Sequence, residues 1–375
     1  MNDLDQQKIQ TQSTQSKKIL IMAGGTGGHI FPAIAVAQRL QSEGWSVVWL
    51  GGVGGMETRL VPQHGFQLET IQMRGLRGKG LKSVLTAPWM VLKAVLQAHR
   101  VIKNHRPNMV IGFGGYTGFA GGIAAKLTRK PLVIHEQNAV AGLTNRVLSA
   151  FATRTLCAFP SAFGATAGEG DWVGNPVRAD ISALAEPQVR FADRTGALKV
   201  LVVGGSLGAQ VFNETLPLAL ALMPIEHRPA VTHQSGEKHQ AALIKNYQTA
   251  GINEVACVPF IGDMAQAYAQ ADVVLCRAGA LTVAELAAAG AAGILIPYPA
   301  AVDDHQTANA RYLSDNQAAI LLPQAQASPE KLAEILQSLT RADCLEMAKQ
   351  ARKLALTQAT EKVVAVCLSL VSGKS

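Results

Sequence analysis

Two apolar runs, each broken by glycines and followed by a helix-patterned stretch, stand half a chain apart. The first is KKILIMAGGTGGHIFPAIAVAQRL, from Lys17; the second is LKVLVVGGSLGAQVFNETLPLAL, from Leu198. An uninterrupted apolar strand that turns through glycine into a helix needs parallel strands beside it and helices on both faces. Further strands follow in PNMVIGFGG, PLVIHEQN, PAVTHQSG, DVVLCRAG and AGILIPYP, each separated by amphipathic helical pattern. The expectation is an α/β chain of two Rossmann-like domains, their parallel sheets facing each other across a cleft. With 375 residues, 48% of them hydrophobic, the chain is long enough for two cores. The polar, aperiodic residues 1–17 read as a disordered tail, 18–178 as the first domain and 179–356 as the second. The apolar helix at about 357–371 is expected to pack back across the boundary.

Several function classes drop out. The dinucleotide fingerprint needs glycine at its sixth position and an acid about 20 residues on. Counted from Gly25, the sixth position is Ile30, and SVVWLGG ends in glycine where the acid should stand. A nicotinamide-dependent oxidoreductase is therefore disfavoured. The N-terminal stretch has no apolar core or cleavage site of a signal peptide. The longest uncharged runs are broken by glycine and proline, so no membrane span is expected. Cys157, Cys257, Cys276, Cys344 and Cys367 form no CxxC pair and sit in apolar patterns, as core residues of a reduced protein would.

The net charge of +8 is unevenly placed: Thr70 to His135 holds 11 Lys and Arg and no Asp or Glu. There Lys79 and Lys82 interleave with Leu81, Leu85 and Trp89. Stacking aromatics and nucleic-acid motifs are scarce, so no nucleic-acid partner is expected. The mixture of basic and apolar residues fits an anionic membrane surface better than a merely solvated helix face.

Ligands of doubly wound sheets bind outside the carboxyl ends of the strands. GGTGGH, GFGGYTG, HEQNAVAG, GGSLGA, HQSG and CRAGALTVAE all fall there. In CRAGALTVAELAAAG the helix is expected to start near Ala280, presenting free N–H groups of Ala280, Leu281 and Thr282 to an anion. Glu285 is expected in about the first turn, where a carboxylate can accept from ribose hydroxyls or merely complement the helix dipole. Asp303 or Asp304 is expected to cap the helix after AVDDHQ.

At this point the chain resembles a known family. GGTGGH, GFGGY, HEQN, VGNPVR, GGSLGA, RAGALTVAE and DDHQ occur in the order found in the MurG family. Those bacterial enzymes transfer N-acetylglucosamine to undecaprenyl-pyrophosphoryl-N-acetylmuramyl-pentapeptide (lipid I), making lipid II for peptidoglycan at the inner face of the cell membrane. They are GT-B glycosyltransferases. The resemblance runs from about Lys18 to about Leu370. His305 and Leu207 stand where some members carry Gln.

The resemblance implies that Ser206 binds a phosphate through its loop, Arg178 pairs with the diphosphate, and the backbone of Ile261 reads uracil. Ala280, Leu281, Thr282, Val283, Ala284 and Glu285 would hold phosphates, sugar and ribose. Gln306 would hold the N-acetylglucosamine hydroxyls, with Asn138 reaching from the other domain. Thr26, Gly27 and Gly28 would complete the substrate site on the acceptor side. His29, closing the first glycine loop, is the candidate base for an inverting displacement. No DxD stands outside the tail, where Asp3 and Asp5 form the one match. No protein-bound metal or other cofactor is therefore expected. The alternatives are a UDP-N-acetylglucosamine 2-epimerase, a GT-B transferase with a soluble acceptor, or a nucleotide-binding scaffold without catalysis.

Overall fold

The computed structural model describes residues 17–73, 81–160, 162–164, 170–205 and 208–372. Two parallel sheets organise it. The first is built from β1 (Lys18–Met22), β2 (Ser46–Gly52), β3 (Gln67–Ile71), β4 (Met109–Gly112), β5 (Leu132–Glu136), β6 (Arg154–Cys157) and β7 (Asp171–Trp172). Their order is β3-β2-β1-β4-β5-β6-β7. The second holds β8 (Lys199–Val203), β9 (Ala230–Gln234), β10 (Val255–Val258), β11 (Val273–Cys276), β12 (Ala292–Leu295) and β13 (Ala319–Leu321). Its order is β10-β9-β8-β11-β12-β13.

Each sheet reverses its winding once, between β1 and β4 and between β8 and β11. Helices leave in opposite directions at such a point and open a crevice above the strand ends. The apolar runs are explained by the same position. Ile19, Leu20, Ile21 and Met22 of β1, and Val273 to Cys276 of β11, are wholly buried because helices cover both faces.

The Ala359–Ser372 helix returns to the first domain. Val363, Val364 and Cys367 join the core containing Ile30, Ile34 and Ala37 of the Gly27–Ser42 helix. Arg39 adds an exposed ion pair to Glu361 at 3.0 Å. The two domains touch directly above the cleft floor: Ala139 N–H donates to Asn309 Oδ1 at 2.7 Å, and Arg146 meets Asp303 at 3.2 Å. Phe159 and Tyr312 pack edge-on across the same boundary, 5.1 Å between centroids. All five cysteines are free, four of them buried.

Candidate active site

The chain leaves β1 through Ala23, Gly24, Gly25 and Thr26, and Gly27 already begins a helix. Glycine is needed here for a buried carboxylate rather than for looseness. Glu57 accepts from the N–H of Gly25 (3.1 Å) and of Gly52 (2.7 Å). A Cβ on Gly24, Gly51 or Gly55 would fall 2.3–2.6 Å from its side chain. Thr26, the N-cap, is extended and makes no side-chain cap bond. The helix bonding starts with His29 N–H to Thr26 O, so the N–H groups of Gly27 and Gly28 have no partner inside the helix. A second helix, Gly115–Leu127, begins beside it at the reversal point. A Cβ on Gly115 would stand 2.6 Å from Gly24 O, so both helix starts share one small volume.

His29 lies in the first turn of the Gly27–Ser42 helix. This corrects the expectation that it closes a loop: a helix start fixes the direction of its ring more tightly. Its Nδ1 lies 2.7 Å from Gln137 Oε1. Gln137 follows β5 in HEQN, where His135 is fully buried and its pKa is lowered by burial to about 4. Glu136, also buried, gathers Asn138 N–H, Asn138 Nδ2, Gly142 N–H and Asn145 Nδ2 at 2.8–3.2 Å. It is the knot that shapes this loop.

In the other domain β11 runs into the Ala280–Ala289 helix, whose N-cap Gly279 has no side chain to satisfy the first N–H groups. Glu285 is the sixth residue of that helix, one turn deeper than expected, and only 7% exposed. Its Oε1 accepts from Arg178 Nη2 at 3.4 Å and its Oε2 from Tyr268 OH at 3.0 Å. Burial raises the Glu285 pKa, while Arg178 and the Tyr268 hydroxyl oppose the rise. The carboxylate still has lone pairs to offer, since two oxygens supply about four acceptor sites. Gln306 accepts the Tyr298 N–H at 2.9 Å through Oε1.

The comparisons with known proteins follow this geometry. Residues 19–157 match the glycosyltransferase family 28 N-terminal domain and residues 199–363 its C-terminal domain. A transferase of Ralstonia nicotianae is 54% identical over 355 residues, 94% of this chain and 96% of that protein. It bears the name UDP-N-acetylglucosamine--N-acetylmuramyl-(pentapeptide) pyrophosphoryl-undecaprenol N-acetylglucosamine transferase. A Dechloromonas aromatica protein of the same name is also 54% identical, over 94% of this chain and 98% of its own. The crystal structure of Acinetobacter baumannii MurG superposes with a TM-score of 0.82 at 41% identity, covering 94% of this chain and 99% of that one. The chain belongs to the MurG family. It is a GT-B glycosyltransferase, and its two sheets are the two halves of that fold.

Within this MurG-family fold Thr26, Gly27, Gly28, His29, Asn138, Ile261 and the Ala280–Glu285 segment follow the carboxyl ends of strands, but several of the singled-out residues are differently engaged. The Ile261 N–H donates to Gln234 Oε1 at 2.9 Å, so a uracil edge would meet its carbonyl unless Gln234 gives way. Asn138 is bonded to Glu136 through Nδ2 and accepts from Asn309 Nδ2 at 3.3 Å. Arg178 is half-buried and reaches Glu285. Asp304 occupies the N-cap position in a left-handed conformation and accepts from the Thr307 hydroxyl, not from the helix backbone. Ser206 and Lys79 lie outside the described residues, as do the side chains of Leu81, Lys82 and Leu85.

The described part of the Leu81–His105 helix has two faces. Ala94, Val95, Ala98 and Ile102 are buried, while Trp89 is 75% exposed and Leu92 and Leu96 about half, beside exposed Lys93, Arg100 and Lys103. Among the described residues no helix is long and apolar enough to cross a membrane, and no group of three His, Cys, Asp or Glu is placed to hold a metal ion. Glu57, Gln137, Tyr268 and Asn309 were not singled out from sequence. Gln137 alone carried a signal, lying inside HEQN.

Proposed function

We propose that this chain transfers N-acetylglucosamine from UDP-N-acetylglucosamine to undecaprenyl-pyrophosphoryl-N-acetylmuramyl-pentapeptide, giving lipid II and UDP. The supporting observation is that relatives bearing that transferase name match along nearly the whole chain, both halves of the cleft included. Inversion follows from an α-linked donor and a β-linked product through one in-line displacement. His29 takes the proton of the acceptor hydroxyl as it attacks the anomeric carbon. The leaving UDP is stabilised by Arg178 and by the uncapped start of the Ala280–Ala289 helix. Glu285 accepts from the ribose, and Gln306 and Asn138 meet the sugar. Thr26, Gly27 and Gly28 face the acceptor pyrophosphate.

The reaction in this reading needs no protein-bound metal, because no DxD stands in the folded body and helix N–H groups are available to the diphosphate. The exposed Trp89, Leu92 and Leu96 beside Lys93 and Arg100 support peripheral attachment to an anionic membrane at its cytoplasmic face, with no nucleic-acid partner. They also weigh against a soluble acceptor or an epimerase, which would need no such face. A coupled assay for UDP release tests the proposal. Release should depend on a polyprenyl-pyrophosphoryl-muramyl-pentapeptide acceptor; equal release without it, or with a soluble sugar, contradicts the reading.

A further inference from the structure

The surroundings of His29 determine which of its nitrogens carries a proton. Gln137 presents one end of its amide to His135, lying 2.9 Å from both the His135 main-chain carbonyl and its Nδ1. A carbonyl can only accept, so this end of Gln137 is the NH2 group, and its second proton goes to His135 Nδ1. That nitrogen must hold a lone pair. His135 Nε2 in turn lies 2.9 Å from the carbonyl of Gly174, in the segment linking the domains, so Nε2 is the protonated atom. Burial keeps the ring neutral, consistent with one proton only.

The amide orientation now has a consequence at its other end. Gln137 Oε1 faces His29 Nδ1 at 2.7 Å and can only accept. We infer that Gln137 is a positioning residue that holds His29 as the Nδ1–H tautomer, leaving Nε2 as the atom that receives the acceptor proton. A free neutral imidazole favours neither arrangement strongly, and the choice is set by the hydrogen bond the other nitrogen makes. Among the described residues no protein group bonds His29 Nε2. Gly114 leaves room for the ring, since a Cβ there would lie only 3.1 Å from it. In the transfer step the acceptor O–H bond breaks, its proton goes to Nε2, and the oxygen forms the bond to the anomeric carbon as UDP departs. Nδ1 keeps its proton throughout, so nothing travels along the chain to Gly174; the chain only orients.

The inference rests on His29 being the base, and its test separates the two. The full-length protein, labelled with nitrogen-15 in its histidine side chains, is observed by NMR at alkaline pH, with His29→Gln used to assign the signals. The expected spectrum shows Nδ1 protonated and Nε2 bare. Gln137→Met should mix the tautomers and lower kcat about tenfold with KM for UDP-N-acetylglucosamine unchanged. Gln137→Glu, which keeps an acceptor facing His29, should keep Nδ1 protonated. A wild-type spectrum with the proton on Nε2 overturns the inference whether or not either variant folds, as does an unchanged tautomer in folded Gln137→Met. Turnover in His29→Ala tests the base role independently, and its persistence would remove that role without altering the tautomer result.

Discussion

The two halves of the cleft share a topology and differ in their polar equipment. The first half carries an imidazole, an amide and a second imidazole in series, His29, Gln137 and His135, each fixed by a hydrogen bond to the next. The second carries an ion pair, Glu285 with Arg178, joined by the Tyr268 hydroxyl, in the second turn of an uncapped helix. Neutral, oriented groups suit proton transfer, because a base must keep a lone pair near neutral pH. Charges and exposed N–H groups suit a nucleoside diphosphate. Side-chain caps are present on some other helices and absent from others, such as Pro187–Phe191 and Gln240–Thr249. Thr340 and Asp343 form a capping box, and Ser328 and Asp263 cap their helices through side chains. The cleft helices Gly27–Ser42, Gly115–Leu127 and Ala280–Ala289 have no such cap. Leaving those N–H groups uncapped costs stability, about 1 kcal/mol for each missing cap, and leaves them free to meet an anion in the proposed reading.

The largest effect should come from the first half. His29→Ala is expected to cut turnover by about 10²–10⁴-fold, the range of a lost general base, in the coupled UDP-release assay. Full turnover would make His29 a structural residue of the helix start.

Acid should then strike both halves through one buried histidine in each. His135 has its pKa lowered to about 4 and His233 to about 3, in both cases chiefly by burial. Both are neutral when folded and titrate near 6.5 when unfolded, so the unfolded chain binds more protons below that pH. Their contribution is complete above pH 6.5 and is lost as pH falls toward about 4 for His135 and about 3 for His233, by up to ~1.4 kcal/mol per pH unit for each group. Urea unfolding at pH 7 and pH 5 should show the drop; equal stability at both would contradict it.

Glu285→Ala is expected to weaken UDP binding by about tenfold for each ribose hydrogen bond lost, since ~1.4 kcal/mol is a factor of ten. Smaller still, replacing Trp89 and Leu92 by Ser should weaken binding to anionic vesicles while leaving UDP affinity intact. The wild-type protein should also be released from them by salt. Equal binding to neutral and anionic vesicles at every salt concentration would contradict the charge contribution. The smallest change belongs to chelation, which should leave turnover nearly intact; abolition by EDTA with rescue by one transition metal would contradict a metal-independent reaction.

What could be read in the sequence was periodic or local. The strand–glycine–helix units, the apolar runs buried on both faces and the helix start at Ala280 depend on near neighbours in the chain. The site's finer chemistry depends on pairs far apart. Gln137 stands 108 residues from His29, and Glu285 stands 107 from Arg178. Asn309 reaches Ala139 from 170 residues away. No spacing rule predicts such contacts, because they arise from where two sheets place their strand ends. Glu57 was hidden differently: in GGVGGMETRL the glycines look like a turn, and only packing shows that Gly51, Gly52 and Gly55 lie against its side chain.

The division of labour between the halves is tested most directly by calorimetric titration of UDP into His29→Ala and Glu285→Ala, beside the wild type. His29→Ala should bind UDP with nearly unchanged affinity, while Glu285→Ala should bind it about tenfold more weakly or worse. If His29→Ala lost as much UDP affinity as Glu285→Ala, the separation into a proton-transfer half and a donor-binding half would be wrong.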